Sequence, residues 1–243
     1  VAPLWAPDGN SVFVAHNSGI ERIGITGGRT DIVRESKIRA IAVNHTGDRL
    51  IFTDGSNIFI IDPAVGVPHS ILDPGFVPRF GNRYIGALTL SPVEDRIVFA
   101  MGGEIYIYEI DTGEVHSVAD AGNRVYWLGW VPGGEQILYL SGREFRGTGF
   151  SPWMRDVQGK YRLCSIKSDG SAPATLFSEN HMDAREAVPD LSPDGRFVSI
   201  TGTSGGVKEV ILVVTDRSAV SVLTSGGPNS YASWRPPAIA GAR

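Results

Sequence analysis

Residues 189–215 read PDLSPDGRFVSITGTSGGVKEVILVVT. The stretch parses as a short strand (Pro189–Ser192), a tight Pro-Asp-Gly turn and a second strand (Phe197–Thr201). A Gly-rich connection then leads to a third strand (Glu209–Thr215), and Leu223-Thr224 closes a fourth. Asp or Asn followed by Gly suits a turn that needs φ > 0. One such unit is a four-stranded antiparallel sheet. Alone it leaves both faces partly uncovered, so neighbouring copies must stack on it.

Working outward, the same unit recurs. Copy one is LWAPDGNSVFVA, IERIGIT and TDIV, over residues 4–33. Copy two is IAVNHTGDRLIFT, SNIFIID and HSIL, over 41–72. Copy three is LTLSPVEDRIVFA, GEIYIYEID and EVHSV, over 88–118. Copy four is LGWVPGGEQILYL, KYRLCSIK and ATLF, over 128–177, and copy five spans 189–223. The fragment YASWRP, 231–236, reads as the first strand of another copy. The turn anchors are Gly9, Gly47, Glu94, Gly134 and Gly195. Three residues beyond each stands Val12, Leu50, Ile97, Ile137 or Val198, so the second strand starts apolar at one register. Glu94 weakens the turn of copy three. Third strands place apolar residues on both parities, as in Ile58, Phe59, Ile60 and Ile61, which means sheets buried on both faces. A period near 40 residues with four strands per unit predicts an all-β fold, a β-propeller, as one domain over residues 1–243. Five complete copies plus one strand favour six blades, with five as the close alternative.

Bulk properties set limits. The chain has 243 residues, 42% of them hydrophobic, and a formal net charge of -4. The acidic balance argues against a general nucleic-acid binder. The single cysteine, Cys164, excludes an intrachain disulfide and a thiolate metal cluster, and its place in an alternating run predicts a small buried residue. No apolar run approaches the ~18 residues of a membrane span. The first residue, Val1, falls in mid-pattern, so a processed product, a cut chain or part of a longer protein is expected.

The residues Trp5-Ala6-Pro7-Asp8-Gly9, Leu191-Ser192-Pro193-Asp194-Gly195 and Leu223-Thr224…Gly227…Ser233-Trp234-Arg235-Pro236 resemble the repeats of the TolB-like, WD40-like "PD40" propellers. The resemblance covers nearly the whole chain. It implies a bacterial protein of the periplasm or a secreted one, associated peripherally with an envelope assembly, that binds a protein or peptide. The motif specifies fold far better than function. Copies two, three and four depart from it at the turn.

With the first strand innermost, the Pro-Asp-Gly turns share one face, and the longer connections are expected on the other. Those connections are 73–84, 143–159 and 178–187, with His16-Asn17 beside them. Loops lengthened on one face of a repeat scaffold are where binding occurs. They carry Arg79, Arg83, Tyr84, Arg143, Arg146, Phe150, Trp153, Arg155, His181 and Arg185. Arg mixed with Trp, Tyr and Phe is the composition of interface anchors, and a positive rim on an acidic protein fits an acidic partner. Trp153 is the leading contact. Trp5, Trp127, Trp130 and Trp234 are expected in core packing.

No catalytic residue, metal or cofactor is assigned. Gly202-Thr203-Ser204-Gly205-Gly206 matches G-x-S-x-G, but it lies between two strands and no His follows it. Glu179, His181 and Asp183 fit no metal signature and read as a polar loop. The leading expectation is therefore a non-enzymatic propeller with a protein or peptide partner and no nucleic acid. A polysaccharide lyase or hydrolase of acidic sugars is the first alternative, with His181, Arg185 and Arg143 abstracting a proton and neutralising the sugar acid. An accessory propeller of a prolyl-oligopeptidase-type peptidase is the second.

Overall fold

The computed structural model describes residues 3–16, 18–34, 37–72, 76, 84–93, 95–142, 161–179, 187–204, 206–229 and 232–234. These hold no helix, and so none long and apolar enough to cross a membrane. They form a β-propeller of four-stranded antiparallel blades, five among the described residues. Blade one is β1 (Leu4–Trp5), β2 (Ser11–His16), β3 (Gly19–Gly24) and β4 (Arg29–Val33). Blade two is β5 (Ala40–Val43), β6 (Leu50–Thr53), β7 (Ile58–Ile61) and β8 (His69–Ser70). Blade three is β9 (Ile85–Leu90), β10 (Arg96–Met101), β11 (Glu104–Glu109) and β12 (Val115–Asp120). Blade four is β13 (Arg124–Trp130), β14 (Gln136–Gly142), β15 (Tyr161–Lys167) and β16 (Ala174–Glu179). Blade five is β17 (Asp190–Leu191), β18 (Phe197–Ser204), β19 (Val207–Val214) and β20 (Val220–Val222). In each blade the strands lie in chain order. The chain divides into two compact units, with blades one to three in the first and blades four and five in the second.

In the first unit both faces of blade two are covered. Leu50 and Phe52 of β6 pack with Phe13, Ile20 and Ile32 of blade one. Ile51, between them and pointing the other way, packs with Ile97, Phe99 and Tyr106 of blade three. All three β6 residues are fully buried, and each contributes roughly 1.5–3 kcal/mol by leaving water. In the second unit Leu138, Leu140 and Leu163 of blade four face Val198, Ile200, Ile211 and Val213 of blade five. Cys164 is buried as expected, with its sulfur 3.8 Å from Thr175 Oγ1. Trp130 is buried, whereas Trp5, Trp127 and Trp234 are half-buried.

The recurring hairpin is closed by the same backbone bond in all five copies. Its closing bonds are Ala6 N–H to Ser11 O, Asn44 to Arg49, Ser91 to Arg96, Val131 to Gln136 and Ser192 to Phe197, at 2.8–3.0 Å. In four of them the Gly N–H turns back three residues, and Gly9, Gly47, Gly134 and Gly195 take φ of +66° to +81°. Copy three keeps its closing bond despite Glu94. At two of these glycines the proline of the preceding blade lies close. A Cβ on Gly47 would make ordinary contact with the Pro7 ring at 3.5 Å, whereas one on Gly195 would lie 2.3 Å from Cδ of Pro132. Gly195 is thus needed twice, for its backbone and for the proline of the preceding blade.

Blade five differs from the sequence reading at its outer edge. The fourth strand is Val220–Val222, three residues earlier than expected, because a tight turn at Asp216–Ser218 starts the ladder at Val213↔Val220. Leu223 N–H still bonds Val210 O, and Thr224 Oγ1 accepts from Val210 N–H. The second and third strands also run further, so that Ser204 pairs with Val207. That makes G-x-S-x-G part of a hairpin, not a strand–turn–helix elbow.

Of the partial sixth copy, only Ala232–Trp234 are described. They dock on blade five. Asp190 Oδ2 accepts from Ser233 Oγ (2.7 Å) and Trp234 N–H (2.7 Å), the Trp234 indole donates to Asp190 O (3.2 Å), and its ring stacks on Phe197 at 6.4 Å. Burial pushes the Asp190 carboxyl above its ordinary value, against the opposing pull of these donors and of Leu191.

Two predictions follow from these contacts. Gly195→Ala is expected to lower stability in urea by about 2–4 kcal/mol, combining backbone strain with the clash on Pro132. Gly206→Ala, at φ +82° with nothing within 4 Å, should cost only about 1 kcal/mol. For Asp190, a raised carboxyl favours the folded protein most in acid, and that advantage fades as pH rises through the raised value. Asp190→Asn should therefore gain stability relative to wild type as pH rises above about 4, the two converging in acid. A gap that widens in acid would mean that the donors outweigh burial.

Candidate functional site

In every blade the hairpin between strands two and three and the exit of strand four lie at the same end of the sheet, because the strands run antiparallel in chain order. This end of each blade is built by a different set of side chains. In blade one, Gly19 sits so close to the end of β4 that a Cβ would lie 1.9 Å from Val33 O. On the adjoining hairpin, Ser18 Oγ is 2.9 Å from His16 Nδ1, and His16 Nε2 is 3.3 Å from Glu21 Oε1. The three side chains resemble a nucleophile, base and acid. However, Ser18 N–H also reaches His16 Nδ1, at 3.3 Å, and the imidazole is partly exposed at 38%. The chemistry this arrangement performs is to order a hairpin.

In blade two, Tyr84 lies over the β6–β7 turn. A Cβ on Gly55, at φ +102°, would meet the Tyr84 ring at 3.1 Å and the Arg39 stem at 3.5 Å, and Ile85 N–H bonds Gly55 O. Tyr84 is half-buried and Arg39 exposed. In blade three, Glu104 opens β11, is 2% exposed and accepts from the Tyr106 hydroxyl. The Phe76 ring stands edge-on to Tyr106 (5.3 Å) and Phe99 (6.3 Å), closing over that pair.

In the second unit, β14 and β15 flank residues 143–160. Tyr161, fully buried, donates to Thr201 O at 2.6 Å. Glu179, at the end of β16, accepts from Thr203 N–H (3.0 Å) and Thr203 Oγ1 (2.8 Å). Blade four thus grips β18 of blade five by two polar side chains. Burial, reinforced by the Glu179 charge, holds the Tyr161 phenol well above its ordinary range, so it is a permanent donor. Glu209 of β19 likewise accepts from Thr224 Oγ1 and from Asn229 Nδ2.

Of the residues assigned to the binding face, Tyr84 is described and sits beside a strand-two-to-three hairpin. Arg79, Arg83, Arg143, Arg146, Phe150, Trp153, Arg155, His181 and Arg185 lie outside the described residues, as does Asp183. Glu179, read as part of a polar loop, belongs instead to a strand and to a buried contact. Phe76 and Glu104 went unnoticed in the sequence. Phe76 lay in a loop with no periodicity, and Glu104 looked like an ordinary charged strand start. Among the described residues no group of three or more His, Cys, Asp or Glu could hold a metal ion.

No family model matches the chain. A stretch of 111 residues is 27% identical to the uncharacterized protein Atu1656 of Agrobacterium fabrum, covering 46% of this chain and 31% of that protein. TolB from Acinetobacter baumannii matches with a TM-score of 0.68 at 17% identity, over 93% of this chain and 55% of its own. A TolB candidate from Agrobacterium tumefaciens matches at 0.70 and 18%, over 97% and 85%. An oligogalacturonate lyase in complex with manganese matches at 0.58 and 14%, over 90% and 63%. The class is therefore a β-propeller with the TolB-like fold. The chain spans less than a third of the curated relative and about half of the Acinetobacter protein.

The grip between blades four and five is open to test. Glu179→Ala is expected to cost about 2–3 kcal/mol in urea unfolding, since it strands a part-buried N–H and a hydroxyl. Thr203→Val removes one hydroxyl bond and should cost about 1 kcal/mol. The double variant should fall short of the sum, because both act on one contact.

Proposed function

We propose that this chain is a non-enzymatic TolB-like propeller, one domain over residues 1–243, that binds a protein or peptide through the face carrying its long loops. The observation that carries the reading is the match to two TolB-type propellers over more than nine-tenths of the chain. The same likeness supports a periplasmic or secreted location with peripheral envelope association. The loops 73–84, 143–159 and 178–187 join strands at the end of each blade where the second-to-third hairpins turn. Their Arg and aromatic residues, above all Trp153 and Arg155, suit an acidic segment that buries an apolar side chain.

A second reading has one observation in its favour, the fold match to an oligogalacturonate lyase. In that case His181 serves as the base, and Arg185 and Arg143 neutralise the sugar acid.

Immobilised protein incubated with a bacterial envelope extract should capture a discrete partner, less tightly as salt rises. The Trp153→Ala, Arg155→Ala double variant should lose that partner by roughly tenfold or more. Undiminished capture by the double variant would remove the loop face from the reading. Release of unsaturated product from oligogalacturonate, abolished in His181→Ala, would replace it with the second.

A further inference from the structure

In the first unit the described arginines are paired with carboxylates, with one exception. Arg22 pairs with Asp8, Arg29 with Glu21, Arg34 with Asp31, Arg49 with Asp95 and Arg96 with Glu109. Arg39 is exposed, and among the described residues its side chain has no ion pair and no hydrogen bond.

The fold fixes where that side chain begins. Arg39 immediately precedes β5, and Tyr84 immediately precedes β9, so both stand at the end of the blades where the second-to-third hairpins turn. Arg39 N–H donates to Thr53 O and Ile85 N–H to Gly55 O, each at 2.8 Å, so the β6–β7 hairpin is tied to both. At Gly55 the Tyr84 ring crowds the space a Cβ would fill, and the Arg39 stem lies in ordinary contact range of it. The carboxylate of the same hairpin, Asp54, is taken up locally, since its Oδ1 accepts from Ser56 N–H (2.7 Å) and Asn57 N–H (2.8 Å). A long side chain ordinarily loses rotamer freedom when it binds. Here the stem already rests on a glycine next to an aromatic ring, so part of that loss is met on folding.

We propose that Arg39 is a carboxylate-reading contact of the loop face, with the Tyr84 ring as its apolar neighbour. The ligand is an Asp or Glu side chain of a bound peptide, held by the guanidinium fork through two parallel N–H···O bonds. This rests on the reading of that face as a protein- or peptide-binding surface, and it adds a contact that the repeat pattern did not mark. A neutral segment would leave the guanidinium as it is, without a counter-charge. A sugar acid would bring several hydroxyls that need partners, and the hairpin's own carboxylate is already engaged by Ser56 and Asn57.

Hexaglutamate is the probe and hexaglutamine its neutral control, each titrated into the isotope-labelled full chain at low salt and followed by NMR. Hexaglutamate alone should shift the Arg39 Nε–Hε and Gly55 amide signals, with an affinity that falls as salt rises. Arg39→Gln, at an exposed position, should keep its melting temperature and weaken binding about tenfold. Arg39→Lys keeps the charge without the fork and should recover only part of that loss. Arg34→Gln, at an exposed arginine already paired with Asp31, should bind as the wild type does. In capture from envelope extract, Arg39→Gln should weaken the partner as the Trp153→Ala, Arg155→Ala variant does. Capture lost in that double variant but undiminished in Arg39→Gln would overturn this contact and leave the loop-face reading standing. Failed capture alongside hexaglutamate shifts at Arg39 would remove the reading and keep the contact. Silence of Arg39 and Gly55 toward hexaglutamate, equal shifts with hexaglutamine, or shifts given by oligogalacturonate in its place would each overturn the inference.

Discussion

A strand whose neighbouring residues are all apolar needs cover on both sides. Leu50, Ile51 and Phe52 meet that need by splitting between two layers, one against blade one and the other against blade three. No single blade could bury all three. Burial of this kind is non-directional, however, and would tolerate a blade sliding on its neighbour. Between blades four and five a turn contact removes that freedom. The Pro132 ring lies on Gly195, so close that a Cβ there would be 2.3 Å from its Cδ. A rigid ring seated on a bare Cα fixes both the distance and the register of adjacent sheets.

The polar contacts finish what packing leaves open. A strand end must satisfy its N–H and C=O groups, and at the top of blade five these go to side chains from other segments. Glu179 and Tyr161 reach across from blade four to Thr203 and Thr201. Asp190 and Glu209 hold the chain that follows β20, through Ser233 and Trp234 in one case and Thr224 and Asn229 in the other. Glu179, Tyr161 and Glu209 each have their donors or acceptor supplied, the condition under which a buried polar group stabilises instead of costing. At Asp190 burial outweighs the donors.

How much of this was legible in the sequence depends on whether a feature repeats. The blades were readable because apolar residues recur at fixed offsets from the turn, and β10 and β11 fell within residues of their expected places. Ser204 lies in a hairpin, as the strands read on either side of it indicated. Features that occur once were not readable. Glu179 looked like loop because its partner, Thr203, lies 24 residues away in another blade. The start of β20 depended on Arg217 adopting φ +70° in a short turn, which no periodicity signals. Tyr84 drew attention only because it stands in a long loop on a repeat scaffold. Its seat on Gly55 was not legible, since a close approach between distant residues leaves no trace in either one's neighbourhood.

The departures of copies two and three from the motif can be understood in the same physical terms. Copy two has His45 where copies one, three, four and five have proline, and copy three has Glu94 where the others have glycine. Both departures fall at the junction of blade two with blade three; at the corresponding junction of blades four and five the Pro132 ring presses on Gly195. Between these same two turns the guanidinium of Arg49 pairs with the carboxylate of Asp95. A partly exposed ion pair is worth little, about 0–1 kcal/mol, and it orients less firmly than a ring on a bare Cα. The register of blade two on blade three must therefore come from its core. That junction has the stacked Phe99 and Tyr106 rings, 5.4 Å apart, with Phe76 edge-on to both.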